Sequence, residues 1–457
     1  MSAEFTPGDT SDSWDILGSG FHAMGLLDRP RVAQELTPYW WGGALSVEGL
    51  ALHAVRLIEQ AIGELSAGRF ELTSGLAQMA AGYESYKHLR ISGRQMQSFA
   101  PLSGFFPTAD GWIRTHANYP HHRRALLAAL EIREPDQVAT ALGETSALDA
   151  QERIVAAGGI AAAVRSRTQW LGEPQARAAS AGHWAQFRLA QRGTPAGWTF
   201  DPRADLPLSG LKVLDLTRVI AGPTASRTLA ALGAQVLRID GPRYPELLDQ
   251  HIDTGFGKRS TVLDLATAQG SSAIDQLLAQ ADVVILGYRP GALEALKVSA
   301  EQLQERYPQL VVAQLCAWGV EGPWGTRRGF DSIVQAATGI AQAYGLPNGK
   351  PGALPVQALD YATGYGVAAS IISLVRARTE LDVVGGVSFS LARTAHALFE
   401  FPRPTSPLIE LEGPRTARRA STFGQLDYVL PPFTLNGTQL DYLSAPRPYG
   451  VDEPVWI

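Results

Sequence analysis

Asp360 heads a long run of small and apolar residues, Asp360-Tyr361-Ala362-Thr363-Gly364-Tyr365-Gly366. A carboxylate in such surroundings is costly to bury unless it is hydrogen-bonded or used. Two roles suit it: a helix N-cap, whose oxygen satisfies the free amides of the next turn, or an acid with a chemical task. Upstream, cations recur beside apolar segments. Lys258-Arg259 follows Gly255-Phe256-Gly257, Arg289 sits in Gly287-Tyr288-Arg289-Pro290-Gly291, and Arg327-Arg328 precede Gly329-Phe330-Asp331. The guanidinium fork matches phosphate geometry. Cations gathered near one acid point to an anionic, phosphate-bearing ligand.

The elements that would position these residues follow from periodicity. Apolar runs at 211–216, 235–240, 282–286 and 310–316 read as strands. Helical patterns at 225–232, 268–280 and 293–307 fall between them. Alternating strand and helix, with apolar strands, predicts an α/β fold: a parallel, doubly wound sheet covered on both faces. Such sheets bind ligands beyond the carboxyl ends of their strands. The loops after 216, 240, 286 and 316 are therefore the candidates, and the cations fall in three of them.

The first half reads differently. Residues 46–67 and 76–89 have helical spacing, and 105–116 reads as a hairpin turning at Ala109-Asp110-Gly111. This predicts a smaller α+β domain placed N-terminally, with a Pro/Gly-rich linker over 193–207. Residues 1–16 are expected to form a loose arm. Gly18-Ser19-Gly20-Phe21-His22-Ala23 has the G-x-G-x-x-A spacing, but no apolar strand precedes it, so a glycine turn before a helix is expected. The adjacent His121-His122 lack metal-pair spacing and are expected at the surface; no metal site is expected.

Composition bounds the function. The 457 residues carry net charge −5, with 45% hydrophobic and 18% charged residues. No Lys/Arg run suggests nucleic acid. No apolar stretch is expected to reach the ~20 residues a membrane helix needs, so no membrane partner is expected. The single cysteine, Cys316, excludes an intramolecular disulfide and fits a reducing compartment; an inert buried thiol is expected there. The first residues lack the basic start and apolar core of a signal peptide. A cytoplasmic protein is expected.

Six motifs then resemble one family in order and spacing. They are Leu208-Ser-Gly-Leu-Lys-Val-Leu-Asp-Leu-Thr-Arg-Val-Ile-Ala-Gly-Pro223, Leu232-Gly-Ala-Gln-Val-Leu-Arg-Ile-Asp240, Gly257-Lys-Arg-Ser-Thr-Val-Leu-Asp-Leu265, the stretch 281–294, Gly329-Phe-Asp-Ser-Ile-Val-Gln-Ala-Ala-Thr-Gly339 and Pro355-Val-Gln-Ala-Leu-Asp-Tyr-Ala-Thr-Gly364. Together they resemble the class III CoA-transferases, the family of carnitine and formyl-CoA transferases, over roughly 208–395. The resemblance implies a Rossmann-like CoA-binding domain. It implies Asp360 as the nucleophile that forms an aspartyl-CoA thioester while CoA moves between carboxylic acids. It implies coenzyme A as substrate, contacted by Val219, Ala221, Arg238, Lys258, Arg259, Tyr288, Arg289 and Phe330. Acyl-CoA and a carboxylic acid would be the partners, and the assembly an interlocked homodimer.

The chain departs from the family pattern at Gly257 and Gly287, where Asn is frequent, and at Ala295, where Arg is common. The stretch 381–387 also differs from the family's closing glycine turn. Phe330 stands where the racemase branch carries His, which disfavours Cα proton transfer. The order of parts is rearranged. Phe105–Trp112 resembles the family's later small-domain hairpin, and the helix at 46–67 echoes the one beginning near 359, with Val47-Glu48 where an Asp would stand. This divides the chain into a truncated copy with the small domain (1–200), a sheet and catalytic domain (201–400), and a tail packing back on the small domain (401–457). A CoA-binding relic without turnover, or a racemase or lyase acting on a CoA ester, are the alternatives.

Overall fold

Seven strands assemble into one mixed sheet. In chain order they are β1 (Gln186–Gln191), β2 (Lys212–Leu216), β3 (Gln235–Asp240), β4 (Lys258–Val262), β5 (Val283–Leu286), β6 (Val311–Cys316) and β7 (Val383–Ser390). In space they run β4-β3-β2-β5-β6-β7-β1. The structure, a computed structural model, describes residues 13–29, 37–97, 99–191, 197–403 and 405–457. Of the arm expected over 1–16, residues 1–12 lie outside the described residues, as do the linker positions 193–196, and residues 13–16 are helical, opening the helix Ser13–Ala23.

The strands β2, β3, β5 and β6 occupy the apolar runs, because both of their faces are covered. Val213, Val283, Ile285, Val311 and Ala313 face the larger core, while Leu214, Leu216, Val284, Leu286 and Val312 face a second core on the other side. Neighbours from β4 through to β7 are parallel. The expectation of a wholly parallel sheet is corrected at one edge. There β1, drawn from the first 200 residues, pairs antiparallel with β7, Phe187 opposite Val387. A second correction is β4 itself. Residues 258–262, expected as loop, form an edge strand in register with 236–240. Its polar sequence gave no apolar signal, since an edge strand is covered from the side. The C-terminal tail supplies that cover: Asp452 exchanges backbone and side-chain hydrogen bonds with Ser260 at 2.9 Å. Covering an edge in this way removes a template for unwanted pairing.

Five helices matter for the site: α1 (Val47–Leu65), α2 (Ala221–Ala231), α3 (Asp331–Thr338), α4 (Ala358–Glu380) and α5 (Leu391–Glu400). The central one is α4, buried along nearly its whole length. On length and composition it would suit a membrane span, against the expectation that no stretch does, and its apolar window is wholly buried in the protein. It packs between α1 and α2. Gly364 sets the approach of α2: a Cβ there would lie 2.4 Å from the Ala221 carbonyl oxygen. Gly364 is one turn beyond Asp360, so the two share a helix face. The absence of that Cβ brings the α2 start beside Asp360.

Elsewhere the hairpin Phe105–Thr108/Gly111–Thr115 is joined by a third strand, Ala161–Ala163. The tail strands Thr416–Ser421 and Gly424–Val429 pair with each other and with Arg90–Ile91. Gly18 and Gly20 lie inside the helix Ser13–Ala23, not in a turn before one. Trp14 closes over Gly18, leaving no room for a Cβ (2.4 Å).

The far end of α4 is tied to the sheet by a buried ion pair. Arg378 Nη2 lies 3.1 Å from Asp282 Oδ1, which also accepts from the Trp198 amide at 2.6 Å. Removing one member of a buried pair strands the other. Arg378→Ala is expected to lower the urea-unfolding free energy by about 3–5 kcal/mol; a loss below about 1 kcal/mol would show that this pair does not anchor the helix.

Candidate active site

Asp360 is the third residue of α4, and the N-cap position is Gln357, so Asp360 is not the cap. The free amide it might have satisfied is served from outside. Asp331, at the head of α3, accepts the Asp360 amide on Oδ2 at 3.0 Å and the Gln335 side-chain amide on Oδ1. Gln335 in turn accepts the Leu354 amide at 2.9 Å, which fixes the chain leading into α4. Asp331 thus caps α4 from a neighbouring helix and leaves the Asp360 carboxylate uncommitted.

The two carboxylates compete for charge. Burial pushes Asp331 up, to about 6, although Gln335 and the amides of Asp360 and Leu359 pull against it. Burial, then the Asp331 charge, push Asp360 well above the ordinary carboxylate range. The donors all face Asp331, so Asp331 carries the charge and Asp360 holds the proton.

Asp360 sits where two cavities meet. The larger, about 350 Å³, opens beyond the carboxyl ends of β2, β5 and β6. The chain goes outward from β2 in both directions, to β3 and to β5, so the cavity lies where the strand order reverses, the usual ligand crevice of such sheets. The smaller, about 60 Å³, lies on the other side. Asp360, Val219 and Phe330 border both.

Of the residues expected at the site, Val219, Ala221, Tyr288, Arg289, Phe330 and Asp360 all border the larger cavity. Val219 has φ of 71°, strained for a β-branched side chain. Its amide donates to Glu246 at 2.9 Å. Three expected residues lie elsewhere. Lys258 is buried beneath α2, with Nζ 3.1 Å from Asp215 Oδ2 and 3.0 Å from the Pro223 carbonyl. Arg259 points from the edge strand into the tail, bonding the Val455 and Glu453 carbonyls. Arg238 is buried against Asp240 at 2.7 Å and Glu246 at 3.4 Å. The reason is common to them: all lie within strands β3 and β4 rather than in loops beyond them, so their side chains serve the packing of the sheet and tail.

Other residues take their place. Arg218 and Arg328 border the cavity with Arg289. Arg289 donates to the Thr326 carbonyl at 3.4 Å and Arg328 to the Gly158 carbonyl at 2.9 Å. Burial, and then the Arg289 charge, push the Arg328 guanidinium down. Arg218 stands 5.0 Å over the Tyr119 ring and 3.7 Å from Glu246. Burial would raise Glu246, yet Arg238 and Arg218 hold its carboxyl below the ordinary range.

The first half of the chain contributes Tyr119, His121 and His122 to the wall. The expectation of surface histidines is corrected: His122 is buried, and the two rings lie 3.9 Å apart. Burial pushes His122 down to about 3, so it is neutral. The clustering in His116-Ala-Asn-Tyr-Pro-His-His122, directly after the hairpin, was the available signal. Cys316 also borders the cavity, and burial pushes its thiol up to about 11.

A sheet crevice ringed by arginines, with a protonated carboxyl at its floor, defines a site for an anionic substrate that meets a buried acid. Residues 208–435 match the family model described as CoA-transferase family III, and over that stretch the chain belongs to this family. A probable fatty acyl-CoA transferase of Mycobacterium tuberculosis is 33% identical over 205 residues, 42% of this chain and 52% of that protein. The human succinyl-CoA:glutarate CoA-transferase is 31% identical over 196 residues, 39% of this chain and 45% of that one. A crystal structure of a hypothetical protein from Mycobacterium tuberculosis is 34% identical, covering 42% of this chain and 56% of that chain with TM-score 0.39. The chain spans about half the length of the curated relatives it matches.

The raised Asp360 value has a stability consequence whose sign is fixed. An unfolded Asp titrates near 3.8, and the folded group well above it. The stabilisation is complete below the unfolded value and is lost as pH rises through the folded one. Asp360→Asn removes this loss. Its Tm is expected to exceed that of the parent at pH 8, with the gap closing towards pH 4; equal gaps at both pH values in thermal scans would contradict a buried, raised carboxyl.

Proposed function

We propose that the protein moves CoA between carboxylic acids through an aspartyl-CoA thioester on Asp360. The observation that carries this reading is the uncommitted Asp360 carboxyl at the floor of an arginine-ringed crevice. Arg218, Arg289 and Arg328 supply the positive charge that a CoA phosphate chain would meet. The strand order β4-β3-β2-β5-β6-β7 supports a Rossmann-like CoA-binding unit.

In the proposed route Asp360 first gives up its proton to solvent through the cavity, and the ionised oxygen then attacks the thioester carbonyl carbon. The new C–O bond forms as the C–S bond breaks, giving a mixed anhydride and CoA thiolate. The thiolate then attacks the aspartyl carbonyl and expels the donor carboxylate, leaving the aspartyl-CoA thioester. The acceptor carboxylate attacks that carbonyl and releases thiolate. Thiolate attack on the acceptor's acyl carbon yields the new acyl-CoA and restores Asp360. Covalent participation divides one hard transfer into easier steps. The Asp360 amide is spent on Asp331, so the first turn of α2, beginning at Ala221 on the cavity wall, would supply the amides for an oxyanion. Cys316, held as the thiol, does not compete with the CoA thiolate.

Assembly as a homodimer and a cytoplasmic setting belong to the same proposal. The first rests on the family resemblance and the second on the single cysteine.

Incubation with an acyl-CoA followed by hydroxylamine is expected to convert Asp360 to the hydroxamate, read by peptide mass spectrometry. Asp360→Ala should lose about 10³-fold or more of the transferase rate. An unlabelled Asp360 together with full activity of the variant would end this mechanism.

A further inference from the structure

The two cavities that meet at Asp360 differ in charge as well as size. Arginines border the larger, whereas none of the described residues bordering the smaller is Arg or Lys. The smaller has apolar walls at Met96, Phe99 and Phe330, and it holds His116 and Ser332. Both of these are nine-tenths or more buried. His116 Nδ1 and Ser332 Oγ have no hydrogen-bond partner among the described residues. A buried polar atom without a partner destabilises the fold, and a ligand that supplies the partner removes that penalty. His116 is held in place by stacking on Phe330, ring centroids 3.9 Å apart, and by its amide bond to the Ile160 carbonyl at 3.0 Å. Ser332 is fixed by α3, directly after Asp331.

Volume limits what can enter. One water occupies roughly 10–15 Å³ on this measure, so a cavity of about 60 Å³ holds about four to six non-hydrogen atoms. Charge limits it further. No Arg or Lys borders the cavity, Arg114 being held over the Phe99 and Phe105 rings, and the ionised Asp331 precedes Ser332, so a second carboxylate would go in beside a like charge. A hydroxyl or oxo group, by contrast, can meet both His116 and Ser332.

We propose that the small cavity receives the acyl group, and that it selects a short acyl chain carrying a hydroxyl or oxo substituent held by His116 and Ser332. The assignment rests on Asp360 as the acyl acceptor, with CoA in the larger cavity. It makes His116 and Ser332 specificity-determining residues. It also separates this protein from the glutarate specificity in the name of its human relative and from the fatty acyl specificity in that of its mycobacterial one.

The test is calorimetric titration of the CoA-saturated protein with lactate, 3-hydroxybutyrate, butyrate, glutarate and octanoate. The hydroxy acids are expected to bind about 10-fold more tightly than butyrate, the factor for one to two neutral hydrogen bonds. Glutarate and octanoate should bind more weakly than butyrate. Ser332→Ala should reduce the hydroxyl preference to about 3-fold or less while leaving the affinities for CoA and butyrate in place. Tightest binding of octanoate or glutarate would overturn the proposal, as would an unchanged hydroxyl preference in Ser332→Ala. CoA binding without binding of any acid would overturn it too, leaving the CoA reading standing. Failure of CoA itself to bind would remove that reading and this one with it.

Discussion

The contact between Asp331 and the first-turn amide of α4 decides what Asp360 is free to do. A helix start in the protein interior must have its amides satisfied. Had Asp360 served as its own helix's cap, its oxygens would have been spent on backbone. Asp331 does that work from α3 and is itself steadied by Gln335, which reaches on to the Leu354 amide. The same contact places a charge beside Asp360 and so raises it. Capping, exposure to the cavity and proton affinity of Asp360 are therefore one arrangement with three consequences.

The cavity around that carboxyl is shaped by packing further away. Gly364 lets α2 approach α4 closely, and the buried Lys258 draws the α2 turn down onto Asp215. Glu246 holds the Val219 amide in its strained conformation and also receives the Tyr119 hydroxyl from the first half of the chain. Strain of this kind persists only where neighbours over-determine the backbone. Here the neighbours are the buried Arg238–Asp240–Glu246 group and Arg218. Arg238 and Lys258 thus bear on the site through other residues, two contacts removed from it.

The sequence made the sheet legible because β2, β3, β5 and β6 are apolar on both faces and are separated by helical spacing. It made Asp360 legible through an acid set against an apolar run. It hid β4, whose residues Lys258 to Thr261 are polar because the tail, not a second strand, covers its outer side. It therefore suggested two loop cations that are strand residues. It hid β1 as the seventh strand, since an antiparallel partner from a distant segment leaves no local mark. The histidines at 116 and 122 reach the site by a tertiary route: His116 stacks on Phe330 and the His122 ring packs against His121, where local pattern placed the His121-His122 pair at the surface. Local pattern reports burial; it does not report which distant surface does the burying.

The raised proton affinity of Asp360 bears on the direction of the proposed chemistry. A mixed anhydride between Asp360 and a substrate acid can be opened at either carbonyl. Thiolate attack at the aspartyl carbonyl expels the substrate carboxylate, whereas attack at the acyl carbonyl expels Asp360 and undoes the step. Leaving-group ability follows acidity, so the group with the lower pKa departs more readily. A substrate carboxylate of ordinary acidity is the better leaving group than a buried Asp360 beside the Asp331 charge. The same burial that holds a proton on Asp360 at rest makes its ionised form the more basic nucleophile. Placing a second carboxylate next to the first therefore does two things at once: it raises the reactivity of Asp360 when ionised, and it biases the anhydride towards the aspartyl thioester.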